Sequence, residues 1–150
     1  VSGETYVNLE GLKSGAYVRG TPHSRALEFE LVSVGPREGV IKMPWREAFV
    51  GEIDTGVIAG GAVTALLDHA GGLAVLASLS RPGFTATLDL RIDYQRPAVP
   101  GRDIFAHAYC YRITRTIAFV RASAYESDPS DPVATIQATY VLPGARESAV

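Results

Sequence analysis

The chain has 150 residues, 47% of them hydrophobic and 20% charged, with a formal net charge of -2; that is enough apolar surface for one compact domain and gives no argument for two. Lys and Arg are scattered, which leaves no electrostatic footprint for nucleic acid or an anionic membrane. The lone Cys110 excludes an intramolecular disulfide, and no basic segment followed by an apolar run suggests a secretory signal, so the cytoplasm is the expected compartment.

The first 25 residues are polar and punctuated by glycine. A short helix is expected around Tyr6–Val18, in an N-terminal extension (1–24) that packs outside the core. From Ala26 the run ALEFELVSV, a Gly35-Pro36 turn and GVIKMPW read as two extended segments joined in a hairpin, which Pro44 ends. A loop through Glu52 and Asp54 follows. The stretch from Thr55 to Ser80 is then apolar or small on every side except for Asp68, and predicts a helix from Ala59 to about Leu79, stopped by Arg81-Pro82-Gly83. Its charge and its five glycines (Gly56, Gly60, Gly61, Gly71, Gly72) favour a buried helix over a membrane span.

Four strand-like runs come next. ATLDLRIDY alternates, with Leu88, Leu90, Ile92 and Tyr94 on one face and Thr87, Asp89, Arg91 and Asp93 on the other. The remaining three each have a small-residue face, as in Ala106, Ala108 and Cys110, in Ala118, Val120, Ala122 and Ala124, and in Ala134, Ile136 and Ala138. Larger side chains such as Phe105, Tyr109, Phe119 and Tyr125 point the other way. A sheet with such a face can curl closely around a helix rich in Gly and Ala. The whole is an α+β domain with one antiparallel sheet wrapped around one helix, its core at about 25–142 and a frayed tail from Gly144.

A carboxylate inside a buried helix costs several kcal/mol to desolvate unless compensated, so Asp68 is the first candidate for chemistry. A plain packing reading exists too, since Thr64, Ala65, Gly71 and Gly72 give it a small-residue surround. Gly60 and Gly61 fall at the helix start, where unpaired N–H groups and the positive dipole end suit a developing oxyanion. His69 is about 100° around the helix from Asp68 and does not face the same way. His23, His69 and His107 lack ligand spacing, no metal is expected, and no nucleotide-binding fingerprint is present.

The run TGVIAGGAVTALLDHAGGLAVLASL, followed by TATLDLRIDYQRPAVPGRDIFAHA, resembles the acyl-CoA thioesterases of the phenylacetate-pathway type within the hotdog superfamily. The likeness covers about Arg25 to Leu142 and rests on Gly60-Gly61, on Asp68 eight positions beyond Gly60, and on Tyr94-Gln95-Arg96-Pro97. The family's usual His is Ala59 here, and a position that is Asn in many members is Glu52. The resemblance implies a hotdog fold and hydrolysis of a small aromatic or medium-chain acyl-CoA. Asp68 would be general base or nucleophile, Gly60 and Gly61 amides oxyanion donors, and Thr87 an orienter of water. Ala59 and Glu52 would stand beside the thioester, and Arg112, Arg115 and Arg121 beside the CoA phosphates. No cofactor is implied, CoA being part of the substrate. Eight helical residues span about 12 Å, so Gly60 and Asp68 of one chain cannot both reach one carbonyl, and active sites at a homodimer interface are expected, with tetramers a further step. The alternatives are an acyl-CoA-binding hotdog protein with weak turnover, because of Ala59 and Glu52, and, behind it, a hydratase.

Overall fold

The computed structural model describes residues 9–142; the start of the helix expected from Tyr6 and the tail from Gly144 lie outside them. Two short helices come first, α1 (Leu9–Lys13) and α2 (Pro22–Ala26). A capping box starts α2: the Thr21 hydroxyl accepts from the Ser24 amide at 3.2 Å, and the Ser24 hydroxyl accepts from the Thr21 amide at 3.3 Å. The hairpin β1 (Glu30–Gly35) and β2 (Glu38–Met43) follows, its turn closed by Arg37 at φ 65°. A small hairpin of β3 (Val50–Glu52) and β4 (Val57–Ile58) occupies the region read as a loop. Then come α3 (Gly60–Leu76), β5 (Ala86–Tyr94), β6 (Ile104–Ile113), β7 (Ile117–Tyr125) and β8 (Ala134–Val141).

Among the described residues six strands form one antiparallel sheet in the order β1-β2-β6-β7-β8-β5, curled around α3 as in the hotdog fold. The small-residue face is the concave one. Ala106, Ala108, Cys110, Ala118, Val120, Ala124, Ala134 and Ile136 are all buried against the helix, whose Leu66, Leu67, Leu73 and Val75 are fully covered. Each such aliphatic side chain contributes about 1.5–3 kcal/mol through its removal from water. Where α3 crosses β2 the fit is tightest: a Cβ at Gly39 would overlap the end of Leu73. No helix among the described residues is long and apolar enough to cross a membrane.

Two expectations are corrected. The N-terminal segment does not lie outside the core: Val18 is 0% and Leu12 5% exposed, and Tyr17 stacks on His69 with centroids 4.6 Å apart. Because α3 is apolar on all sides, the sheet cannot cover it alone, and this segment covers the His69 side. The alternation of β5 also breaks. A bulge between Thr87 and Asp89 sets Thr87 opposite Tyr140 on the helix face and leaves Leu88 as the extra residue, 59% exposed.

Candidate active site

Asp68 sits midway along α3, half-buried, beneath the last strands of the sheet. Thr87 Oγ1 donates to its Oδ1 at 2.6 Å. The Tyr140 hydroxyl donates to the Asp68 backbone oxygen at 2.8 Å and lies 3.2 Å from Oδ1. Burial, and then the charge of Asp68, hold the Tyr140 phenol above the usual tyrosine range, and the same causes raise Tyr17. Both phenols are therefore neutral donors. His69 does face away from Asp68: its Nε2 lies 3.1 Å from the Val18 carbonyl oxygen, and burial pushes it below the ordinary histidine value, so it stays neutral.

The first turn of α3 is a separate cluster. The N-cap is Ala59, which supplies no side-chain cap, and the amides of Gly60 and Gly61 have no acceptor among the described residues. Tyr94, at the far end of β5 from Thr87, donates to the Gly60 carbonyl oxygen at 2.7 Å and also meets Thr64 Oγ1. Its ring lies over Gly60, where a Cβ would stand 3.2–3.4 Å from ring and hydroxyl, whereas a Cβ at Gly61 would meet nothing within 4 Å. A helix-start amide such as that of Gly61, with no side chain over its Cα, can be approached by a ligand. Gly51 faces Ala59 so closely that its own Cβ would lie 2.7 Å from the Ala59 Cα.

Beside Gly60 a recess of about 390 Å3 is lined by Val57, Ile58, Val63, Tyr94, Pro97 and Val133. One wall is fixed by Arg96, which donates to Glu126 at 2.6 and 3.0 Å and to the Asp131 backbone oxygen at 2.8 Å. Glu126 in turn accepts from the Val99 amide at 2.7 Å. These contacts hold the Glu126 carboxyl below its ordinary value and raise Arg96 further.

The structure brings Asp68 and Thr87 together halfway along α3 and keeps Gly60 and Gly61 apart from them, at the start of the same helix. Glu52 is exposed beside the helix start and accepts from Thr55 Oγ1 at 2.6 Å, so within one chain it stays apart from Asp68. Arg112 and Arg115 lie at the β6–β7 turn, at the end of the sheet that carries Tyr140, since the Leu142 amide donates to the Thr116 oxygen in that turn. Arg121, grouped with them in the sequence, lies away from that turn. It stands within β7, paired with Tyr109, and its guanidinium covers the Tyr111 ring on the face away from the helix. Period-two alternation places an odd-numbered β7 residue there, opposite Ala118, Val120 and Ala122. Tyr140 was missed. Its parity with Ala134, Ile136 and Ala138 and the Gly71-Gly72 pair in the helix were the signals that could have found it.

A six-stranded antiparallel sheet around one helix, with a hydrogen-bonded carboxylate halfway along it, is the architecture of a hotdog protein, and the family match puts it in the thioester-hydrolase class. The chain belongs to the thioesterase superfamily, whose family model matches residues 55–133. A solved structure of a protein from Pseudomonas aeruginosa is 32% identical, covers 89% of this chain and 97% of its own, and has a TM-score of 0.79. A point mutant of the phenylacetic acid degradation protein PaaI from Thermus thermophilus is 26% identical over 81% of this chain and 98% of its own, with a TM-score of 0.70. A candidate esterase of Halobacterium salinarum is 39% identical over 70 residues, a match that spans 45% of each chain.

Proposed function

We propose that the chain hydrolyses acyl-CoA thioesters of small aromatic or medium-chain acids, in active sites shared by two subunits. The observation that carries this reading is Asp68, held through Oδ1 by Thr87, on the same helix that presents the amides of Gly60 and Gly61; among the described residues neither its Oδ2 nor those amides have a hydrogen-bond partner. The likeness to a phenylacetic acid degradation protein supports an aromatic acyl group, and the recess beside Gly60 offers it an apolar wall.

Among the described residues β5 is an edge of the sheet and pairs only with β8. Antiparallel pairing with a second copy, centred between Leu90 and Arg91, would set Thr87 against Tyr94 of the partner subunit. Thr87 holds Asp68 and Tyr94 holds Gly60, so the two-fold brings each carboxylate towards the partner's free amides. Exposed Leu88 and Phe84 and the Tyr94 ring lie along or beside that edge and would be covered. Further pairing of dimers into tetramers is compatible with this edge being used once.

In such a site the acyl oxygen accepts from the amides of Gly60 and Gly61, which favour the oxyanion at the helix N-terminus. Asp68 Oδ2 takes a proton from water as the water oxygen bonds to the acyl carbon; collapse of the oxyanion breaks the carbon–sulfur bond, and the CoA thiolate leaves and takes up the proton. In the nucleophilic variant Oδ2 itself bonds to the acyl carbon and the carbon–sulfur bond breaks to expel the CoA thiolate; water then hydrolyses the mixed anhydride, releasing the acid, restoring the Asp68 carboxylate and supplying the proton the thiolate takes up. Thr87 gives its hydrogen to Asp68 and keeps lone pairs for water. Arg112 and Arg115 face solvent near that end of the sheet and suit the CoA phosphates.

Ala59 and Glu52 favour a second reading, binding of acyl-CoA without efficient turnover. A hydratase would need a histidine beside the carboxylate, and His69 is turned into Tyr17. The deciding experiment follows thiol release from a panel of acyl-CoAs with the wild type and Asp68→Asn, alongside binding by calorimetry. Turnover that disappears with Asp68→Asn supports hydrolysis; binding with no turnover by the wild type on any acyl-CoA moves the protein to the second reading.

A further inference from the structure

The two carboxylate oxygens of Asp68 are in different surroundings. Oδ1 accepts from Thr87 at 2.6 Å and has the Tyr140 hydroxyl 3.2 Å away, while Oδ2 has no partner among the described residues. Thr87 and Tyr140 are direct cross-strand partners on β5 and β8, so two neighbouring hydroxyls address one oxygen. The phenol's single hydrogen goes mainly to the Asp68 backbone oxygen at 2.8 Å and secondarily to Oδ1. One donor thus ties the main chain of Asp68 to its side chain and restrains the carboxylate's rotation.

The helix is shaped to admit this ring. A Cβ at Gly71 would collide with the Tyr140 hydroxyl, and a Cβ at Gly72 would collide with that of Tyr17. Glycine is unfavourable in a helix interior relative to alanine, and here each one makes room for a phenol next to the turn that bears Asp68. Tyr140 is 2% exposed, so nothing in solvent competes for its hydrogen.

We infer that Tyr140 is a positioning residue for Asp68: with Thr87 it fills Oδ1 and presents Oδ2 to water or to the acyl carbon. This rests on Asp68 being the reacting carboxylate. A carboxylate free to turn would spend less time in the reactive orientation, and losses of this kind appear in kcat rather than in KM.

The experiment measures kcat, KM and Tm for wild type, Tyr140→Phe, Asp68→Asn and the double variant. Tyr140→Phe is expected to lower kcat about tenfold with KM within about twofold, and to have no further effect on the residual rate of Asp68→Asn. Gly71→Ala pushes the hydroxyl away without removing it, and should lower kcat in the same manner even if Tyr140→Phe does not accumulate in folded form. An unchanged kcat in Tyr140→Phe with turnover still abolished by Asp68→Asn overturns the positioning role alone. The same fold-loss in both backgrounds, tracking Tm, makes Tyr140 structural and overturns it too. Wild-type turnover in Asp68→Asn overturns this inference together with the reading beneath it.

Discussion

Thr87 reaches Asp68 Oδ1 at 2.6 Å because the extra residue Leu88 turns the start of β5 towards the helix. Asp68→Asn keeps the shape of the side chain but cannot take a proton from water, so turnover should fall by about 10²–10⁴-fold with the fold intact by circular dichroism. Thr87→Val should lower kcat by about tenfold, and Thr87→Ser should retain most of it, because only the hydroxyl is needed. Wild-type kcat in Asp68→Asn would make the carboxylate a packing element.

The bulge also marks a limit of pattern reading. Alternation along ATLDLRIDY puts Leu88 inward and Thr87 outward; the strand does the reverse at that end, because a bulge depends on pairing with β8 that a single strand does not encode. The three small-residue faces were legible, since period two places Ala106, Ala122 and Ala138 on one side wherever the register falls. The covering role of Tyr17 and Val18 was not: they lie in an aperiodic segment, and their partner His69 is 52 or 51 residues away. Asp68 stood out through its isolation. Tyr140 did not, because its role exists only where β8 crosses Gly71.

The proposed site shared between subunits depends on association through β5. Wild type should run as a dimer at micromolar concentration by light scattering, and Leu88→Lys, which places a charge at the 59%-exposed edge residue, should weaken the dimer and lower activity in proportion. A stable monomer with undiminished turnover would exclude a site shared between subunits.

Ala59 leaves the helix start without a side-chain donor, at the place where the proposed reading puts the thioester. If one hydrogen bond is all that is missing, an imidazole there recovers about 1–3 kcal/mol, and Ala59→His should raise kcat/KM by roughly tenfold or more on the best acyl-CoA. Glu52→Asn should act in the same direction by removing a negative charge near the helix start, where the proposal seats the substrate. No gain from either variant would show that the donors at Gly60 and Gly61 already suffice.

Burial lowers the His69 value from 6.5, so the folded protein disfavours the charged ring. The unfolded chain then binds more protons as pH falls below 6.5, and stability that is fully present above that value is lost on acidification. Urea unfolding between about pH 7 and 5 should show this slope, and His69→Gln should flatten it while lowering stability overall by loss of the Tyr17 stack. Parallel pH profiles for the two proteins would contradict a neutral buried His69.

Glu126, whose side chain is 4% exposed, links Arg96 to the Val99 amide and so fixes the segment that walls the recess beside Gly60. Glu126→Gln keeps the size of the side chain but leaves the guanidinium without its buried counter-charge, a loss of about 2–3 kcal/mol in unfolding free energy. The Arg96 hydrogen bond lowers the Glu126 value below 4.5, so the pair's contribution is present above that pH and disappears as pH falls through the folded-state value; Glu126→Gln should remove this acid-dependent part. The pair makes no contact with Asp68 or Thr87 and fixes only the recess wall, so kcat should be little changed while KM rises as the wall loosens. A fall in kcat with KM constant would instead connect this ion pair to the carboxylate and not to the recess.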